Sequence, residues 1–172
     1  MKDLSYDFSI DKKTNVITIK KEFAADQKLV WDAFTKREIL DQWWAPKPWQ
    51  AKTKSLDLKA GGHWLYAMVG PNGEEHWSRT SYTIVEAPER FAGDDAFTDS
   101  SGNLNKDMPQ SKWYVTFTDK GEITIVEFEI AYSDTTQLEE TIKMGFKEGI
   151  TATLNSLDDL LPSLQDKKTP VY

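Results

Sequence analysis

An α+β fold is predicted for this chain: a curved antiparallel sheet of about six or seven strands wrapped around a long C-terminal helix, with two short helices after the first strand. Three features predict it. Apolar and polar residues alternate over residues 49–132, with turn residues at short intervals. One helical stripe comes next, made of Leu138, Ile142, Phe146, Ile150, Leu154, Leu157 and Leu161. The chain of 172 residues is 39% hydrophobic and 12% aromatic, with seven Trp, so it holds more large rings than a core of its size requires. At this length about 70% of the unfolded surface can be buried in one domain. The reading is a single domain over 1–172, with its core in 7–161 and a polar tail in 162–172.

Each element has its own signal. Tyr6, Phe8 and Ile10 alternate with polar residues, a polar turn covers 11–15, and 16–23 continue as a long first strand. Asp26 is an N-cap for a short helix carrying Leu29, Val30, Trp31, Ala33 and Phe34. Thr35 with Glu38 reads as a capping box opening a second helix, whose apolar face is Ile39, Leu40, Trp43 and Trp44, and Pro46 and Pro48 stop it. Turns at 60–62, 71–73, 87–89 and 119–121 divide the next stretch into a six-stranded meander at 49–58, 63–69, 75–86, 90–98, 111–119 and 122–132. The polar segment 99–110 is long for a hairpin loop and reads as a solvated insertion or a lid. Asp134 with Gln137 starts the final helix, which runs over 135–161, on the order of 40 Å, until Pro162 ends it.

The apolar face of such a sheet must be covered, and only the final helix is long enough. Small residues at its centre, Gly145, Gly149, Ala152 and Thr153, leave room between helix and strands, and Gly61, Gly62 and Gly93 permit a strongly bent sheet. A cavity is expected there.

Composition excludes several function classes. The net charge of −7 and a pI near 4.9 argue against nucleic acid or an anionic membrane as partner, because phosphate binding needs a basic face. With no Cys there is no thiolate metal site, no thiol nucleophile and no disulfide, which suits a reducing, cytoplasmic setting. No apolar run approaches the roughly 18 residues of a membrane span, and the first residues lack a signal-peptide core.

Five segments carry a family likeness: Phe23-Ala-Ala-Asp-Gln-Lys-Leu-Val-Trp-Asp-Ala-Phe34, Leu40-Asp-Gln-Trp-Trp-Ala-Pro46, Leu58-Lys-Ala-Gly-Gly-His-Trp64, Tyr82-Thr-Ile-Val-Glu-Ala-Pro-Glu-Arg-Phe91 and Gly149-Ile-Thr-Ala-Thr-Leu-Asn-Ser-Leu157. In this order and spacing, over about 7–161, the chain resembles the family named for activators of the heat-shock protein 90 ATPase. That family belongs to the START-like (SRPBCC) superfamily, so the resemblance implies the helix-grip fold. The superfamily includes lipid, hormone and polyketide binders, some cyclases and chaperone regulators, and fold alone does not select among them. Two departures stand out: Gly149-Ile150 where many relatives have Gly-Trp, which alters the cavity, and Thr80 where Gly is frequent, which is expected to reduce a bulge.

The chemistry-bearing residues are few. His63 and His76 lie in strands expected to be neighbours, but two imidazoles do not make a metal site. Asp94 and Asp95 alternate across a strand and cannot act jointly, and Asp158 and Asp159 fall on the polar side of the last helix. No phosphate-cradling or hydrolase motif is present, so neither cofactor nor metal is expected. Arg79, Glu127 and Glu129 have apolar strand neighbours; an inward Arg79 would favour a carboxylate or phenolate ligand, while the outer wetted face is the commoner place for such groups. The residues expected to line a ligand cavity are Trp43, Trp44, Trp64, Tyr66, Met68, Arg79, Trp113, Val115, Phe117, Ile142, Phe146, Gly149 and Ile150.

Three uses are compatible with this reading. The first is a non-catalytic binding protein for a small apolar or aromatic molecule, as monomer or homodimer. The second is a co-chaperone or stress-related interaction protein. The third is a cyclase- or hydrolase-like enzyme, which would need an inward polar cluster such as Arg79, His76 and Glu127.

Overall fold

The computed structural model describes residues 4–168. Alternation of apolar and polar residues makes the first two strands, β1 (Tyr6–Asp11) and β2 (Val16–Phe23), paired antiparallel around a turn in which Asn15 takes a φ of 60°. Every second residue of β2 points inward: Ile17, Ile19 and Phe23 are fully buried, and so, unusually, is Lys21.

Helix α1 (Gln27–Thr35) begins as predicted, with the Asp26 carboxylate accepting the Leu29 N–H at 2.8 Å. Helix α2 (Arg37–Trp43) does not. Thr35 ends α1 and is buried, with its hydroxyl donating to the Trp31 carbonyl at 2.7 Å, so it cannot cap the second helix; Lys36 precedes α2 without a side-chain cap.

The meander continues as β3 (Gln50–Leu56), β4 (His63–Val69), β5 (Glu75–Glu86), β6 (Arg90–Thr98), β7 (Gln110–Asp119) and β8 (Thr124–Tyr132). Strand order is β1-β2-β8-β7-β6-β5-β4-β3, all antiparallel, so α1 and α2 carry the chain from one side of the sheet to the far edge. The count is eight, because β1 adds a full strand outside β2. Gly93 lies where a Cβ would stand 2.7 Å from the Ser81 carbonyl, and the β5–β6 register slips between Tyr82 and Ile84. The irregularity stands past Thr80, which pairs in regular register with Asp95, and Gly93 opposite Tyr82 allows the close approach there.

The predicted C-terminal rod is two helices. Helix α3 (Thr135–Lys143) starts on Asp134, whose carboxylate accepts the Gln137 N–H at 2.8 Å. It stops at Gly145, which takes a φ of +86° and donates its N–H to the Ile142 carbonyl, a left-handed helix end that Gly adopts without strain. Helix α4 (Phe146–Lys168) then crosses the sheet, roughly 35 Å for its 23 residues. Pro162 does not end it. Leu161 and Leu164 are buried against the core and the Gln165 amide donates to the Ala24 carbonyl at 3.1 Å, contacts that carry the helix past the missing N–H. The expected tail at 162–172 is thus helical as far as Lys168, and 169–172 lie outside the described residues. Nor does Asp158 stay on the polar side of the helix: it pairs with buried Lys21 at 2.9 Å, tying α4 to β2.

Residues 99–110 do not float free, and Pro109 at the end of the segment reaches the cavity wall. Asp99 organises a tight turn through Ser101 and Asn103, while the Ser100 and Gly102 carbonyls accept from Lys54 and Arg79, pinning the turn to the sheet's outer face. Among the described residues, no helix is long and apolar enough to cross a membrane.

Candidate functional site

The inner face of the sheet is read off the strand registers. One row runs straight across five strands: Trp64 opposite Thr80, Thr80 opposite Asp95, Asp95 opposite Ser111, and Ser111 opposite Tyr132. A second row sets Tyr66 opposite Ser78 and Ser78 opposite Phe97. Helix α4 and the α3–α4 turn lie over these rows, and between them is a cavity of about 240 Å³.

Aromatic rings form a large part of its walls. From the sheet come Tyr66, Met68, Phe97, Trp113 and Tyr132; from the helices come Trp44, Met144, Phe146, Gly149 and Ile150. The rings hold one another in edge contacts, Trp44 to Trp113 at 6.2 Å and Trp113 to Phe146 at 6.3 Å between centroids. Indole N–H groups are satisfied at the wall: Trp44 donates to the Tyr66 hydroxyl at 3.1 Å and Trp113 to Ser111 at 2.9 Å. The space left is therefore bounded by ring faces and edges, with hydroxyls in recess.

One carboxyl breaks the apolar lining. Asp95 is half-buried and borders the cavity. The Thr80 hydroxyl donates to Oδ1 at 3.1 Å. Burial pushes its pKa up to about 7, an effect the Thr80 hydrogen bond only partly offsets. Burial also holds the phenols of Tyr66, Tyr82 and Tyr132 above the usual tyrosine range. Asp95 also borders a small void of about 30 Å³, enough for one water, between Trp64, Tyr82, Phe91 and Phe128.

Of the residues expected to line a cavity, Trp44, Tyr66, Met68, Trp113, Phe146, Gly149 and Ile150 share this one. The others stand elsewhere. Trp43 is buried between α1 and α2, with its N–H on the Ala33 carbonyl and its ring 4.8 Å from Phe34. Phe117 packs 5.2 Å from Trp31 in the core, and Ile142 packs against the core without reaching the cavity. Val115 and Trp64 face the small void, Trp64 stacked on Tyr66 at 4.0 Å. Arg79 is on the outer face, donating to Ser81 and to the Gly102 carbonyl, because the parity of β5 sends Ser78 and Thr80 inward instead.

The polar trio does not assemble. Glu127 pairs with Lys20 on the wet face, Arg79 is outside, and exposed His76 sits at the cavity rim beside Trp49. His63 bonds Ser55 at the far end of β4, opposite Ser81, whereas His76 lies opposite Met68. Among the described residues, no group of three or more His, Asp and Glu side chains is placed to hold a metal.

Asp95 was not among the expected site residues. Its signal was present: Phe91, Gly93, Asp95 and Phe97 share one parity of β6, and the two Phe mark that parity as the inner one. A wider groove of about 740 Å³ lies outside, between α3 and the 104–112 segment, lined by Arg79, Asp94, Lys106, Asp107 and Glu140. It shares Asp95, Ser111 and Tyr132 with the inner cavity, but Tyr132 is its one aromatic ring and charged side chains dominate it, so the smaller inner cavity is the better ligand site.

No curated protein matches the chain significantly. Among solved structures, the chain is similar to protein Ms6760 from Mycobacterium smegmatis, at 29% identity and a TM-score of 0.84, covering 94% of this chain and 99% of that one. A protein from Arthrobacter aurescens is similar at 25% identity and a TM-score of 0.86, covering 91% of each chain. One from Staphylococcus epidermidis has 28% identity and a TM-score of 0.78, covering 95% and 97%. With residues 24–162 matching the pattern described as activator of Hsp90 ATPase homolog 1-like protein, the chain belongs to that family.

Proposed function

We propose that this protein binds a small hydrophobic or aromatic molecule between its sheet and α4. The observation that supports this reading is the unfilled space of about 240 Å³, whose largely apolar walls include the rings of Trp44, Tyr66, Phe97, Trp113, Tyr132 and Phe146. An apolar hole of about 150 Å³ already admits benzene, so the volume suits a guest of one or two rings. Ile150, standing where many relatives carry Trp, contributes to the opening by its smaller volume.

Native mass spectrometry of freshly purified protein tests the reading directly, with a co-purified small molecule as the expected result. Ile150→Trp is expected to fill the space and abolish binding of an apolar dye while the protein stays folded. Unchanged dye affinity in that variant would place the dye elsewhere and remove the main support for the proposal.

A further inference from the structure

Asp95 is hard to explain as scaffold. It is half-buried where the inner cavity meets the outer groove, and it is the one carboxyl among the residues that line the inner cavity. Here one neutral hydroxyl, Thr80, donates to Oδ1, and that is its one side-chain hydrogen bond among the described residues. The inward groups around it on the neighbouring strands are hydroxyls: Tyr66, Thr80, Tyr82, Ser111 and Tyr132. Asp95 also lines the outer groove, with Arg79, Asp94, Lys106, Asp107, Lys112 and Glu140, and among the described residues none of these forms an ion pair with it. His76 is at the rim, opposite Met68, several residues along the strands from the Thr80–Asp95 pair. What the site lacks is a cation, and the space beside the carboxyl is the space a guest would fill.

Building on the binding reading above, we infer that the guest is a flat apolar molecule carrying one basic nitrogen, seated with its rings among Trp44, Trp113 and Phe146 and its N–H on the Asp95 carboxylate. The rings around the site suit this guest twice over, because aromatic faces attract a cationic headgroup as well as an apolar body. A buried charge-assisted contact of this kind discriminates strongly, since an analogue without the donor leaves the carboxylate unpaired.

The test uses two isosteric probes, 2-naphthylmethylamine and 2-naphthylmethanol, titrated calorimetrically into the whole protein. At about pH 8, where Asp95 is ionised and the amine protonated, the amine is expected to bind at least about tenfold more tightly than the alcohol. The preference should shrink towards one at about pH 6, as the carboxyl takes up its proton. Asp95→Asn, which keeps the volume, should erase the preference at both values while retaining alcohol binding. Equal affinities in the unmodified protein, or a preference that survives Asp95→Asn, would overturn the inference and leave the cavity reading standing. Binding of neither probe would overturn both. Should Asp95→Asn fail to fold, Thr80→Val serves instead: removing the donor is expected to move the onset of amine preference to higher pH, and an unmoved onset counts against the assignment.

Discussion

Asp95 gives up part of its hydration when this chain folds, and the consequence is readable in stability as well as in binding. Its folded pKa of about 7 lies above the ordinary 3.8. Between those values the unfolded chain releases the proton and the folded chain keeps it, so stability falls as pH rises through that window, and the full cost is present above it. Asp95→Asn should therefore gain nothing near about pH 4 and up to about 4 kcal/mol near about pH 8, the upper bound reached if the whole rise from 3.8 to about 7 is relieved. Denaturant midpoints at the two pH values check this, and an equal gain at both would contradict it. A position at which a neutral amide is more stable than the native acid is what a site kept for recognition looks like.

At the scale of elements, the α3–α4 pair shows how local backbone chemistry shapes the space. Gly149 faces the cavity, and a Cβ built there meets no atom within 4 Å. Gly149→Leu should stabilise the protein by about 1 kcal/mol, since glycine is a poor helix former, while lowering apolar-probe affinity at least tenfold by filling the space. A thermal melt and a titration read the two effects, and a stabilised variant with undiminished affinity would argue against a guest at this wall. Asp26 and Asp134 announced their helices because a carboxylate before an apolar run has one cheap use, to accept the first free N–H groups. The break at Gly145 was hidden because Ile142, Phe146 and Ile150 keep helical spacing across it, and spacing does not report φ. Thr35 misled for a different reason: the helix before it ran one residue longer than its pattern suggested and took the hydroxyl for itself. The half of the aromatic wall that was legible came from strand parity, whereas Trp43 and Phe117 are distinguished from wall residues only by which neighbour they meet.

For the whole molecule, the decisive arrangement is a helix clamped through its C-terminal half onto the core. Leu154, Leu157 and Leu161 are fully buried or nearly so, and Lys21–Asp158 fastens the same stretch to β2. Lys21 is almost wholly enclosed, packed over Phe23 at 4.9 Å, and Asp158 Oδ1 has no further hydrogen-bond partner. Lys21→Ala would leave Asp158 without its cation and is expected to cost about 3 kcal/mol by chemical denaturation, with Asp158→Asn costing little more when added. Strictly additive losses would show that the two groups do not act as a pair. The order of the strands also bears on how the chain reaches this state. Lys20 stands opposite Glu127, more than a hundred positions later, so the first hairpin cannot dock until the last one has been made. Ile17 and Ile19 leave the ribosome more than a hundred residues before Ile130 and Phe128, their partners on β8, and in that interval they are unsheltered and open to aggregation or to capture by a chaperone.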